Sequence, residues 1–142
     1  MKEEKKKARS AGFIIVRQRD GSWEVLGLRV WGKIDIPKGH LESGESDLDA
    51  AKRECFEEAG IDVSKKDMRW GTIHFIAERP QKDVVIFLAS TDQKPEIKPN
   101  PETKQYEHDG YRWMSWDDLR RFSYPYLRSA IDWAQSTVER SG

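Results

Sequence analysis

The sequence predicts an α+β domain in which a mixed β-sheet is sandwiched between α-helices. Two β-rich runs flank Asp20-Gly21, a helix-period segment runs from Ser46 to Gly60, and further strand-like runs give way to a helical C-terminal stretch. Strands bracketed early and late by helices bury both faces of a sheet in one layered arrangement.

The elements follow in chain order. Residues 1–9, a run of Lys and Glu containing Lys5-Lys6-Lys7, read as a frayed, solvated tail. Residues 13–16 and 23–28 are rich in β-branched and aromatic side chains, and Asp20-Gly21 between them is a hairpin signal. At Ser46 the period changes: Leu48, Ala51, Cys55 and Ala59 fall on one helical face. Ser46 suits the N-cap, Asp49 the capping-box position and Gly60 the C-terminal stop. Residues 70–77 and 84–89 read as strands joined through Arg79-Pro80-Gln81-Lys82, and residues 111–114 as a last short strand. From Thr91 to about Gln105, Pro95, Pro99 and Pro101 among charges mark a long surface loop. Ser115-Trp116-Asp117-Asp118 looks like a helix start, and a closing helix is expected from about Pro125 past Trp133.

A chain of 142 residues fits one domain, taken as residues 1–142, with one site. Its 25 Lys+Arg cancel 25 Asp+Glu, so no global field draws the chain to nucleic acid or membrane, and any polyanion must be bound locally. The single cysteine, Cys55, excludes an internal disulfide. No stretch reads as a signal peptide or a bilayer span, which makes the cytoplasm the expected location.

Glu54, Glu57 and Glu58 are spaced to share one side of the Ser46–Gly60 helix. Clustered carboxylates repel one another unless cations neutralise them, and hard oxygen donors suit Mg2+ or Mn2+. Taken alone, the three read more simply as a solvated acidic face. The wider frame changes that reading. Gly39 is followed by five residues, Glu45, seven residues, then Arg53-Glu54-Cys55-Phe56-Glu57-Glu58-Ala59-Gly60-Ile61. Seven such matches at fixed spacing arise by chance on the order of once per million sequences or less.

This pattern resembles the Nudix box, position for position, with Cys55 the one mild departure at a site that usually carries a bulky aliphatic residue. The small apolar thiol can still pack there. Gly39 and Gly60 are expected to permit backbone turns that a side chain would obstruct. Arg53 and Glu45 look like a charge pair that pins loop to helix and orients Glu54. The resemblance implies a Nudix fold and hydrolysis of a phosphoanhydride bond with Mg2+ or Mn2+. It places Gly39, Glu54, Glu57 and Glu58 around the metal, with Glu54 a further ligand or the base for the attacking water.

Pro37-Lys38-Gly39-His40 before the box, then Tyr106-Glu107-His108 and Tyr111-Arg112-Trp113 after it, resemble the asymmetrical diadenosine tetraphosphate hydrolases. By position, that resemblance implies that Lys38 and Lys82 hold polyphosphate oxygens, that His40 lies near the same anion, and that Glu107 ligates metal or acts as base. Phe75 would stack on a base, with Tyr124 and Tyr126 as a second aromatic wall. Phe75 has an ordinary core position as its alternative. Trp113, Trp116 and Trp133 read as packing residues, His74 as a strand residue, and His108 as packing at a strand entrance. In place of the tryptophan usual before Pro-Lys-Gly-His, this chain has Ile34-Asp35-Ile36, with Trp31 upstream.

The expected reaction converts a small dinucleoside polyphosphate, diadenosine tetraphosphate, to ATP and AMP. The 5′ triphosphate of RNA is the alternative substrate, and a non-catalytic nucleotide sensor the alternative of another class. A diphosphoinositol phosphate is less favoured, because the chain has no basic surplus.

Overall fold

The structure, a computed structural model, describes residues 7–141. Seven strands and three helices follow one another as β1 (Ala8–Arg19), β2 (Ser22–Val30), β3 (Lys33–Asp35), β4 (Lys38–His40), α1 (Asp47–Ala59), β5 (His74–Glu78), β6 (Lys82–Ser90), β7 (Gly110–Met114), α2 (Trp116–Phe122) and α3 (Arg128–Arg140), with a 3₁₀ turn at Pro125–Leu127 leading into α3. Of the tail expected over residues 1–9, residues 1–6 lie outside the described residues, while Ala8 and Arg9 already belong to β1.

The strands form one mixed sheet in the order β3-β2-β1-β6-β5, with β4 paired to β1 and β7 to β2. β1 is its axis. It runs parallel to β6 from Ala8↔Lys82 to Val16↔Ser90, and its opposite edge is shared by β4 at residues 10–12 and β2 at residues 16–19. The β1–β2 hairpin closes on Asp20 and Gly21, both at positive φ (52° and 79°), the two-residue geometry whose twist matches that of the flanking strands.

A strand covered on both faces must be apolar on both, and β1 is. Ile14 and Val16 join Ile86, Leu88, Leu119, Leu127, Ile131 and Val138 on the face covered by α2 and α3. Ala11, Phe13 and Ile15 join Val85, Phe87, Ala51, Cys55 and Ala59 under α1. Small side chains on α1 let that helix lie close to the sheet, and buried Cys55 packs among them, its thiol pKa pushed up by burial.

The ends of α1 are where the sequence placed them. Ser46 Oγ accepts the Asp49 main-chain N–H at 3.1 Å, and Gly60 ends the helix at φ 68° with its N–H donated to Phe56 O. A Cβ at Gly60 would sit 2.7 Å from the Glu96 carbonyl oxygen, so the position excludes side chains on two counts. Ser115 likewise caps α2, accepting the Asp118 N–H at 3.1 Å.

Three expectations change. The strand expected over residues 70–77 starts only at His74, because residues 69–72 turn through Gly71 at φ 68°. Trp70 instead packs beside Trp23 at 6.0 Å and donates Nε1–H to Ser141 Oγ at 2.9 Å. Lys82, expected in a turn, opens β6 opposite Ala8. The three-residue strands β3 and β4 were not foreseen, being too short for any hydrophobic period to register. No helix among the described residues is long and apolar enough to cross a membrane.

Gly60→Ala is expected to lower stability by at least about 1–2 kcal/mol, the cost of a side chain in left-handed backbone, before any clash with Glu96 is counted. Urea denaturation with an unchanged slope would show it, and an unaltered midpoint would contradict this role for Gly60.

Candidate active site

Between α1, β4 and the loop before β7 lies a cleft of about 560 Å³, and most of the side chains singled out in the sequence line it. Those brought together are Lys38, Gly39, His40, Arg53, Glu54, Glu57, Glu58, Lys82 and Glu107. Glu45 stands behind them as the anchor of Arg53.

The Arg53 guanidinium organises one wall. Its Nε donates to Glu45 Oε2 at 2.8 Å and its Nη2 to Glu45 Oε1 at 3.0 Å, a two-pronged pairing that fixes the plane of the group. Nη1 reaches Glu54 Oε1 at 2.8 Å and Glu57 Oε2 at 3.1 Å, and Nη2 also donates to the His40 carbonyl at 3.0 Å. One cation thus joins loop, helix and strand. The hydrogen bond from Arg53 holds Glu45 below its usual pKa, and the same contacts, led by Glu45, raise that of Arg53.

Gly39 faces this wall for a reason other than the one expected. It lies in β4, paired with Ala11, and is not among the glycines at positive φ, so no turn requires it. A Cβ there would instead overlap the Glu54 carboxylate, contacting Cδ and both oxygens. The box glycine provides room for a carboxylate against the strand.

Glu58 is half-buried, its carboxylate turned into the cleft. Its Oε2 accepts the Lys38 main-chain N–H at 3.0 Å. Burial pushes its pKa up to about 9; the Lys38 N–H works against that rise and Glu54 adds to it. Burial also raises Glu54, with Arg53 opposing.

Lys38, assigned to phosphate binding, has its Nζ 2.8 Å from Asp35 Oδ2, and only 15% and 10% of the two side chains is exposed. Asp35 Oδ1 accepts the Ile36 N–H at 2.8 Å, which sets the carboxylate in place. Burial disfavours the Lys38 charge, but Asp35, Tyr126 and Glu58 together outweigh it and hold the pKa above its ordinary value. Lys82 lies on the same rim, its pKa lowered by burial and by the neighbouring cations Lys38 and Arg79. His40 lines the cleft with Nδ1 3.3 Å from Ser10 Oγ.

Glu107 enters from the loop before β7 and accepts the Asn100 Nδ2–H at 2.8 Å. Beside it His108 is 6% exposed and turned into the cleft, with burial lowering its pKa. Glu58, Glu107 and His108 each offer a donor atom within 4.8 Å of the other two. Carboxylate-rich donors at that spacing fit a hard divalent cation.

Phe75 is not brought to the cleft, and Tyr126 lies behind its lining, with its hydroxyl against Lys38. Phe75 packs against Trp133 at 6.0 Å on the α3 side of the sheet. The Tyr126 ring is stacked with Tyr124 at 6.4 Å and covered by the Arg79 guanidinium at 4.1 Å. Sequence reasoning overlooked Asp35, Asn100 and the inward turn of His108. The only signal for Asp35 was an acidic residue three positions before Lys38, where the resembling family carries other residues.

The NUDIX domain profile matches residues 6–134. An asymmetrical bis(5′-nucleosyl)-tetraphosphatase of Sus scrofa is 38% identical over 123 residues, covering 78% of this chain and 80% of the relative. An RNA pyrophosphohydrolase of Proteus mirabilis is 28% identical over 128 residues, covering 76% and 70%. A crystal structure of a C. elegans Ap4A hydrolase binary complex superposes with a TM-score of 0.74 at 23% identity, covering 95% of this chain and 99% of that one.

The burial of Glu58 sets a sign for pH dependence. The unfolded chain loses this proton near the ordinary value of 4.5, whereas the metal-free folded protein keeps it to about 9. The folded state therefore binds more protons across that window, and its stability falls as pH rises through it. Glu58→Gln is expected to flatten the decline, read from denaturation midpoints at a series of pH values without metal; an identical slope in both proteins would contradict the burial argument.

Proposed function

The chain belongs to the Nudix hydrolase family, and from that premise we propose that it hydrolyses dinucleoside polyphosphates, with diadenosine tetraphosphate giving ATP and AMP. The observation that carries the reading is the cleft's division into a carboxylate wall, Glu54, Glu57, Glu58 and Glu107, and a cationic rim, Lys38 and Lys82. A polyphosphate laid between them has its charge met on one side and its reacting phosphorus presented to oxygen donors on the other. The Sus scrofa relative's name supports the choice of substrate.

Glu57, Glu58, Glu107 and the main chain of Gly39 would hold Mg2+ or Mn2+. When bound, the cation neutralises phosphate charge and lowers the pKa of water. Glu54 accepts a proton from the attacking water. Burial makes it a stronger base than an ordinary glutamate, and Arg53 fixes its direction through Oε1. The water oxygen bonds to phosphorus as the bridging P–O bond breaks, and the leaving nucleotide departs with its negative charge. Lys38 gives one of its three N–H donors to Asp35 and lies against the Tyr126 hydroxyl, and a donor remains for a phosphate oxygen.

A second reading keeps the same residues and changes the substrate to the 5′ triphosphate of RNA with pyrophosphate release. The Proteus mirabilis relative favours it.

Product analysis by ion-exchange chromatography separates the two, with Mg2+ or Mn2+ and parallel offers of diadenosine tetraphosphate and 5′-triphosphorylated RNA. Equal ATP and AMP, formed far faster than pyrophosphate from RNA, is the expected result; the reverse preference would overturn the substrate. Glu54→Gln should lower kcat by about 10²-fold or more, the scale of general-base catalysis.

Lys38→Ala should raise KM for polyphosphates and also cost about 3–5 kcal/mol, because it leaves Asp35 buried and unpaired. Adding Asp35→Asn should restore much of the stability while KM stays high. Recovery of both would mean that Lys38 acts only as a partner of Asp35.

A further inference from the structure

We propose that His108 is itself a ligand of the divalent cation, completing with Glu58 and Glu107 a mixed oxygen–nitrogen site; the inference rests on the metal-dependent reading above. The donor atoms of these three residues lie within 4.8 Å of one another, a spread that a single ion can draw together. His108 is 6% exposed, and what remains of its surface opens onto the cleft.

A buried imidazole normally satisfies its ring nitrogens, because leaving them unpaired costs free energy. The two exposed histidines have a protein partner even so: His40 Nδ1 is 3.3 Å from Ser10 Oγ, and His74 Nδ1 is 3.1 Å from the Thr72 carbonyl. Among the described residues no hydrogen bond reaches either ring nitrogen of His108. The ring therefore faces the cleft uncommitted to any protein group, beside two carboxylate oxygens, and a divalent cation there can bond to all three donors.

The backbone shows how the pair is aimed. Neighbouring residues of an extended strand point to opposite faces, so Glu107 and His108 can share a target only if the chain bends between them and the sheet. It does: a bend at residue 107 precedes β7, and the segment is fastened on both sides. The Asp109 N–H donates to the Arg29 carbonyl at 2.9 Å, and Asn100 holds Glu107 at 2.8 Å. Both donors are thereby preset before any ion arrives.

Imidazole in an otherwise carboxylate site changes which ion it prefers. Mg2+ takes oxygen ligands and keeps several waters, whereas imidazole nitrogen binds later divalent ions more readily. The site is therefore expected to bind Mn2+ more tightly than Mg2+, and His108→Asn to lower Mn2+ affinity at least about 10-fold while leaving Mg2+ affinity nearly unchanged.

The test is pulsed electron paramagnetic resonance of the full chain loaded with one equivalent of Mn2+. Nitrogen modulation from a directly bound imidazole is expected in unlabelled wild-type protein and should change to the 15N pattern when histidine is 15N-labelled, a comparison that needs no variant to fold. The modulation should vanish in His108→Asn and persist in His40→Asn. Bound Mn2+ without nitrogen modulation, or modulation lost only in His40→Asn, overturns the ligand assignment and leaves the hydrolase reading standing. Failure of the wild-type protein to bind Mn2+ at all overturns both.

Discussion

Glu54 and Glu57 can stand side by side on one wall of the cleft because a single guanidinium sits between them. Arg53 is planar and permanently charged, and its five N–H donors point in fixed directions, so it can serve several acceptors at once where an ammonium would act as one point charge. Here it spends two donors on Glu45, others on Glu54 and Glu57, and one contact on the His40 carbonyl. Glu45 fixes the guanidinium, the guanidinium fixes the Glu54 and Glu57 carboxylates, and the helix is tied through it to β4. Take that cation away and the acidic face of α1 repels itself.

The opposite wall solves the same electrostatic difficulty in another way. Lys38 is buried with Asp35, and its main-chain N–H is given to Glu58. A cation, an anion and a carboxyl group held mostly in its protonated form occupy adjacent positions with little net charge to desolvate. Such an arrangement leaves Glu58 reluctant to ionise, so that a divalent cation bound there as proposed would release a proton.

β1 lets these walls face each other. One edge of this central strand is divided, with β2 holding its second half and β4 its first, so the three residues of β4 are fastened to the sheet axis rather than left in a loop. α1 packs on the same strand through Ala51, Cys55 and Ala59. The distance between the glutamate-bearing helix and the lysine-bearing strand is thus set by core packing, and Gly39 makes that distance short enough for Glu54.

Much of this was legible in the residues alone. Ser46 and Gly60 marked the ends of α1, Asp20-Gly21 marked the hairpin, and the fixed spacing from Gly39 to Ile61 identified the box, because caps, turns and motifs are local and depend on neighbours in sequence. The rest was not local. Strands of three residues carry no period, Gly71 turned an expected strand aside, and the roles of Asp35 and His108 depend on residues distant in the chain that meet only when the sheet forms. Phe75 had the right chemistry for base stacking, yet the pleat directs it to Trp133. Sequence by itself determined the family motif and which helix displays its glutamates. Only the tertiary structure decided which of those side chains face one another, since burial, charge pairing and the reach of a donor atom are properties of positions in space.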